Sequence, residues 1–370
     1  MKRALLLLIV WGLTLGLLAG LVLGVGFIGT SLTRPLLAPD APAMTIEIPS
    51  GADALRIARI ADAAGARLNP TVFAWVARLR GQARDIQAGE YQITAQDHLL
   101  SWLDRLVAGD VVRYRLTIAE GNTAQDFLNA LAAEPALAHT LQGLNQAQII
   151  KTLNLPILNL EGWLFPDTYV FTRGTTDRKI VQEAYRGMKA RLDAAWATRA
   201  TNLPFKTPYD ALILASIVEK ETGLPAERAE VAGVFVNRLN LGMRLQTDPT
   251  VIYGVAMASQ GQVDEQTAPR SLTVTQLRAD TPYNTYLHTG LPPTPIALPS
   301  AAALQAVMHP AATDALYFVA NGTGGHTFSR TLQGHNQAVQ TWRRLENQRN
   351  TAAANPAISP KANEQPVNKP

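Results

Sequence analysis

A carboxylate placed at the end of an apolar helical stripe can serve as a general acid near neutral pH, because burial disfavours its charged form. Glu219 holds such a place in the segment from Thr207 to Gly223. Thr207 and Pro208 read as a helix N-cap and first helical residue, Asp210 suits the positive end of the dipole, and Gly223 supplies a stop. At about 100° per residue Leu212, Ala215, Ser216 and Glu219 share one face, whereas Glu221 points roughly the other way. Pairing is the alternative for Glu219 and would make it structural.

Other residues could complete a site. Asp248, followed by Pro249, reads either as the cap of a further helix or as the second carboxylate of a glycosidase pair. Asn237 and Arg238 end an apolar helical body. Tyr283, Asn284, Thr285 and Tyr286 lead into a proline-stiffened stretch from Gly290 to Ile296, which suits a rigid wall. Amides and phenols so placed fit a sugar. The run from Glu161 to Tyr169, with Asp167, has the same mixture; for Trp163 and Phe165 a core-closing aromatic corner is the alternative. His326 and His335 lack an HExxH pattern and a third ligand at sensible spacing, so no metal is expected. Ser216 sits mid-helix outside any G-x-S-x-G, and Lys220 has neither a glycine-rich phosphate loop nor a pyridinium partner, so no serine hydrolase and no cofactor are expected.

The elements that position these groups follow from patterning. The 370 residues include no cysteine, which excludes thiolate chemistry and disulfides, and the net charge of +4 comes without interleaved aromatic platforms, which argues against nucleic acid. Residues 4–28 carry no charge and are long enough to cross a bilayer. That length favours an uncleaved anchor over a signal peptide, although Ala41-Pro42-Ala43 resembles a cleavage site. Lys2 and Arg3 would keep the N-terminus cytoplasmic and put the rest outside. Gly12, Gly16, Gly20 and Gly24 form a ridge that could meet a partner's membrane helix or a second copy.

An α+β organisation is expected: N-terminus and membrane helix over 1–29, an extended linker over 30–43, a small α+β subdomain over 44–118, a larger mixed domain over 119–346, and a disordered tail over 347–370. In the subdomain, strands at 45–48, 89–93 and 111–118 alternate with three helices. The strand, helix, helix, strand order is similar to a LysM-type module, a family that grips N-acetylhexosamine polymers; a mere spacer is the alternative.

Five strings together resemble the endolytic murein transglycosylase (YceG-like) family: EGWLFPDTY from Glu161, LASIVEKETG from Leu214, VFVNRLNLGMRLQTDPTVIYG from Val234, YNTYLHTGLPPTPI from Tyr283 and GHTFSRTLQGHN from Gly325. The resemblance implies an inner-membrane enzyme facing peptidoglycan, with a LysM-like subdomain and a catalytic domain whose glutamate matches Glu219. The implied reaction is non-hydrolytic cleavage between N-acetylmuramic acid and N-acetylglucosamine, closing a 1,6-anhydro ring and ending strand elongation beside a cell-wall synthase. By analogy with lysozyme-like transglycosylases, Gln246 and Asn284 would hold substrate, with Asn237, Tyr283, Tyr286, Asp167 and Tyr169 around them. Trp163, Gly334 and Ser300 depart from the usual family residues, and none is expected to touch Glu219. A non-catalytic, membrane-anchored peptidoglycan-binding scaffold is the competing reading.

Overall fold

A computed structural model describes residues 2–260 and 272–354, which divide into two compact units. The first holds residues up to Arg115 together with 135–138 and 170–175; the second holds most of the remainder.

Helix α1 (Lys2–Thr33) opens the first unit. Its stretch Val10–Thr33, 24 residues long, is long and apolar enough to cross a membrane, and none of it is buried. The helix reaches four residues into the segment expected to be extended linker. Leu36 and Leu37, just beyond it, are already buried in the unit's core.

Strand β1 (Met44–Ile48), helices α2 (Ala54–Ala63) and α3 (Pro70–Leu79), strand β2 (Gly89–Ile93) and helix α4 (Leu99–Ala108) follow. β1 and β2 pair antiparallel, with Ile46 opposite Tyr91 and Ile48 opposite Gly89. Alternation sends Ile46 and Ile48 inward. Asp53 and Asn69 cap α2 and α3 by accepting from the backbone N–H groups of Arg56 and Val72, as their side-chain chemistry favours. Gly109 ends α4 at φ 68°, where a side chain would be strained. Trp102, Phe73 and Tyr91 fill the core, the first two with ring centroids 5.4 Å apart. β3 (Tyr114–Thr117) is shorter than the alternation over 111–118 predicts and pairs with β4 (Thr168–Phe171).

The second unit contains α5 (Ala124–Ala133), α6 (Gln146–Leu153), α7 (Asp177–Ala197), α8 (Pro208–Glu221), α9 (Arg228–Asn240), α10 (Asp248–Gln260), α11 (Val274–Leu277) and α12 (Ala301–Met308). Hairpin strands β5 (Tyr317–Ala320) and β6 (His326–Ser329) precede α13 (Leu332–Ala354). α8 is its centre. Thr207 and Asp210 form the N-terminal capping box, and Ala211 through Val218 are all buried, so the helix is apolar all round instead of on one stripe. It packs against α7, α9, α10 and α12. Ser216 is absorbed structurally, donating to the Ile213 carbonyl and accepting from the Ile296 N–H. α13 continues past residue 346, where a disordered tail is expected; residues 355–370 of that expectation lie outside the described residues.

Candidate active site

The last turn of α8 carries two glutamates with different surroundings. Contrary to the expectation that Ser300 leaves it untouched, Glu219, the expected proton donor, accepts from both the backbone N–H (2.9 Å) and the hydroxyl (2.5 Å) of Ser300, which the start of α12 brings against it. Ser300 itself caps α12 through the N–H of Ala303. The guanidinium of Arg228 stands 3.9 Å from the other oxygen, and the Glu219 side chain is only 6% exposed. These contacts favour the paired, structural reading: Glu219 ties α8 to the positive end of α12.

Glu221, which the helical wheel turns away from the stripe, instead lies where the polar strings converge. The Thr247 hydroxyl donates to it. Burial raises its pKa to about 7; the Thr247 bond opposes this, Asp248 adds to it, and His326 and Arg238 oppose it. A carboxyl poised there is part-protonated at neutral pH and can both give and take a proton.

The loop before α10 is held by backbone bonds that explain its shape. Arg238 is buried, its Nε donating to the Leu316 carbonyl at 2.6 Å and one terminal nitrogen to the carbonyls of Arg244 and Leu245. Gln246 takes φ 53°, an uncommon conformation for a residue with a side chain, and its N–H bonds the Thr285 carbonyl at 3.1 Å. Thr247 N–H donates to the Thr285 hydroxyl, which also meets Thr250. Gln246 is thereby left with an exposed side chain beside Thr247.

Two expected substrate contacts are otherwise engaged. The fully buried Asn284 amide donates to the carbonyls of Leu277 and Ala279 and accepts from Tyr286 N–H, so it holds the loop together instead of facing a ligand. Asn237 likewise donates to the carbonyls of Thr313 and Ala315. Tyr286 does belong to the cluster: its hydroxyl donates to Asp248 at 2.6 Å. Asp248 is thus both the first residue of α10 and a charged neighbour of Glu221. Tyr283 bonds Thr294 and packs edge-on against Tyr253. Asp167 is exposed and caps its own neighbour Thr168, while Tyr169 is buried, with its hydroxyl donating to the Phe165 carbonyl. The contacts of these last two lie elsewhere.

Sequence reasoning turned Glu221 away from the site, weighed His326 only against a metal, and gave no role to Thr247 or Glu227. The Glu227 carboxylate accepts from His326 N–H and lies 2.7 Å from its Nδ1. Burial pushes Glu227 up, but these bonds outweigh it and hold the carboxyl below its ordinary value. The signal was present: four of the five strings carry polar residues, Glu221, Thr247 with Asp248, Tyr286 and His326, that meet at the C-terminus of α8.

The sequence model of the YceG-like family matches residues 46–341. The chain is 29% identical over 349 residues to a Bacillus subtilis (strain 168) protein named endolytic murein transglycosylase, covering 89% of this chain and 93% of that one. It is 30% identical over 335 residues to a Streptococcus pneumoniae (serotype 2, strain D39) protein of the same name, covering 82% of this chain but 59% of the relative's length. A crystal structure of a yceG-like protein from Listeria monocytogenes superposes with a TM-score of 0.50 at 29% identity, covering 80% of this chain and 98% of that one. On the extent of that match, the chain belongs to the YceG-like family.

Proposed function

We propose that this chain is a membrane-anchored endolytic murein transglycosylase, a lyase that cuts the glycan backbone of peptidoglycan without consuming water. The observation that carries the reading is Glu221, a carboxyl raised to about 7 at the meeting point of Gln246, Thr247, Asp248, Tyr286 and His326. Glu221 would protonate the oxygen between N-acetylmuramic acid and N-acetylglucosamine. The bond from muramic C1 to that oxygen would break, the N-acetylglucosamine leaving with the donated proton as a hydroxyl, while Glu221, now a carboxylate, takes the proton from the C6 hydroxyl of the same muramic residue as O6 bonds C1, closing a 1,6-anhydro ring. One side chain can do both because the nucleophile is already in place. Glu219 was the first candidate for this role, and its bonds to Ser300 support a structural one.

Gln246, exposed and held in a strained turn, is the substrate-facing amide of this reading, with Tyr286 beside it. The β1–α2–α3–β2 order, closed by antiparallel pairing, supports a LysM-like role for the first unit in gripping the strand. α1 would anchor the chain in the inner membrane with Lys2 and Arg3 on the cytoplasmic side, leaving both units facing murein. A wall synthase docked through the glycine ridge is part of the same proposal.

The test is mass spectrometry of products from purified peptidoglycan treated with the full chain and with Glu221→Gln. The enzyme releases 1,6-anhydro ends and the variant does not. A non-catalytic scaffold would bind sacculi and release none in either form.

A further inference from the structure

A cavity of about 630 Å³ opens within the second unit and is not lined by Glu221, Thr247 or His326. Small-molecule sites typically enclose roughly 300–1,000 Å³. Its polar lining is made of amides and phenols, chiefly Gln125, Asn129, Asn159, Tyr253 and Tyr283, around the carboxyl of Glu161. Leu128 and Met257 add apolar surface.

The floor is fixed in place. Glu161 is buried, accepting from Ala124 N–H at 2.9 Å and from the Tyr253 hydroxyl at 3.1 Å. Burial raises its pKa to about 7, so it can also donate. The Tyr283 hydroxyl is shared with Thr294. One acceptor is left over: Asn159 Oδ1 is buried and has no hydrogen-bond partner among the described residues. A buried polar atom without a partner is uncommon and marks a place where a ligand's N–H or O–H would be favourable.

Charge narrows the ligand. Among the described residues His139 is the only basic side chain of the lining, and Asp177 is occupied by Thr140 and the backbone of Leu141. Phosphates and carboxylates call for arginine or lysine clamps, and the described residues of the lining include none. A neutral ring bearing hydroxyls and an amide matches it better. Tyr283 and Tyr286 are three residues apart, at most about 11 Å along the chain. The cavity and the Glu221 cluster therefore lie at the two ends of one short loop.

We infer that this cavity is a second glycan subsite, which holds one neutral N-acetylated hexosamine of the strand while the bond to be cut lies at Glu221. Asn159 Oδ1 would accept the acetamido N–H, the carboxamides would meet ring hydroxyls, and Leu128 and Met257 would cover an apolar ring face. Gripping a sugar away from the cut favours internal bonds over strand ends. The inference rests on the glycan-cleaving reading given above.

The test uses the full chain in detergent, with N,N′-diacetylchitobiose as probe and titration calorimetry as readout. Saturable binding is expected, and cellobiose, which lacks the acetamido groups, should bind about tenfold more weakly or worse. Ala147→Trp, which fills the mouth from an exposed lining position, and Asn129→Ala on the rim should each weaken the probe, the first by at least about tenfold. On murein, Ala147→Trp raises KM while anhydro ends still form. Absence of saturable binding, equal binding of cellobiose, or binding indifferent to both substitutions overturns the subsite. Anhydro products without chitobiose binding defeat the subsite alone; absence of both defeats the enzymatic reading with it.

Discussion

Glu219 and Glu221, two residues apart on α8, are committed to different partners: the first accepts two bonds from Ser300, the second one from Thr247. About 200° of helix rotation separates them, so one α8 terminus presents one carboxyl to α12 and another to the loop before α10.

Substitution separates the two roles. Glu221→Gln should lower kcat by roughly 10²–10⁴, the usual range for losing a general acid, and leave the fold intact. Glu219→Gln should keep turnover but lose about 1–2 kcal/mol of stability, because it weakens a capping contact. Product release and thermal unfolding, measured on the same preparations, check both.

The raised Glu221 pKa fixes the direction of the pH dependence. The protonated acid is needed, so the rate should fall as pH rises through about 7. Thr247→Val removes the bond that lowers this pKa and should move the falling limb to higher pH. Stability follows the same sign. A carboxyl whose folded pKa is raised contributes fully below its unfolded value of about 4.5, and that contribution is lost as pH climbs through about 7. Glu221→Gln should therefore be more stable than the natural chain at pH 8.5, by on the order of 2 kcal/mol, and not at pH 4. Unfolding curves at the two pH values would test this.

Much of this was legible in the sequence. The capping box of Thr207 and Asp210, the stop at Gly109 and the alternation of β1 rest on local chemistry that spacing reveals. The different partners of the two glutamates were not, because α8 is buried on every side and a one-stripe reading cannot separate Glu219 from Glu221. The partners of Asn284 were hidden for a related reason. An amide in a polar loop suits a sugar or a backbone equally, and only the fold reveals that Leu277, Ala279 and Tyr286 claim it.

Asn284→Ala should accordingly act on stability. It strands two carbonyls and an N–H in a buried loop, at roughly 2–3 kcal/mol. Activity should recover at lower temperature with KM little changed, which kinetics at two temperatures would establish; a large KM rise in a fully folded variant would restore Asn284 as a substrate contact.

Gln246 gives the opposite pattern. At φ 53° glycine is the unstrained residue, so Gln246→Gly should be as stable as the natural chain or up to about 1 kcal/mol more so, while losing affinity for the strand. Paired unfolding and KM measurements test it.

The most direct measurement is the chemical nature of the cut end. Mass spectrometry of murein fragments released by the full chain should find internally cyclised 1,6-anhydro termini that vanish in Glu221→Gln. Hydrated reducing termini, or undiminished release by that variant, would contradict a single proton-carrying glutamate at the end of α8.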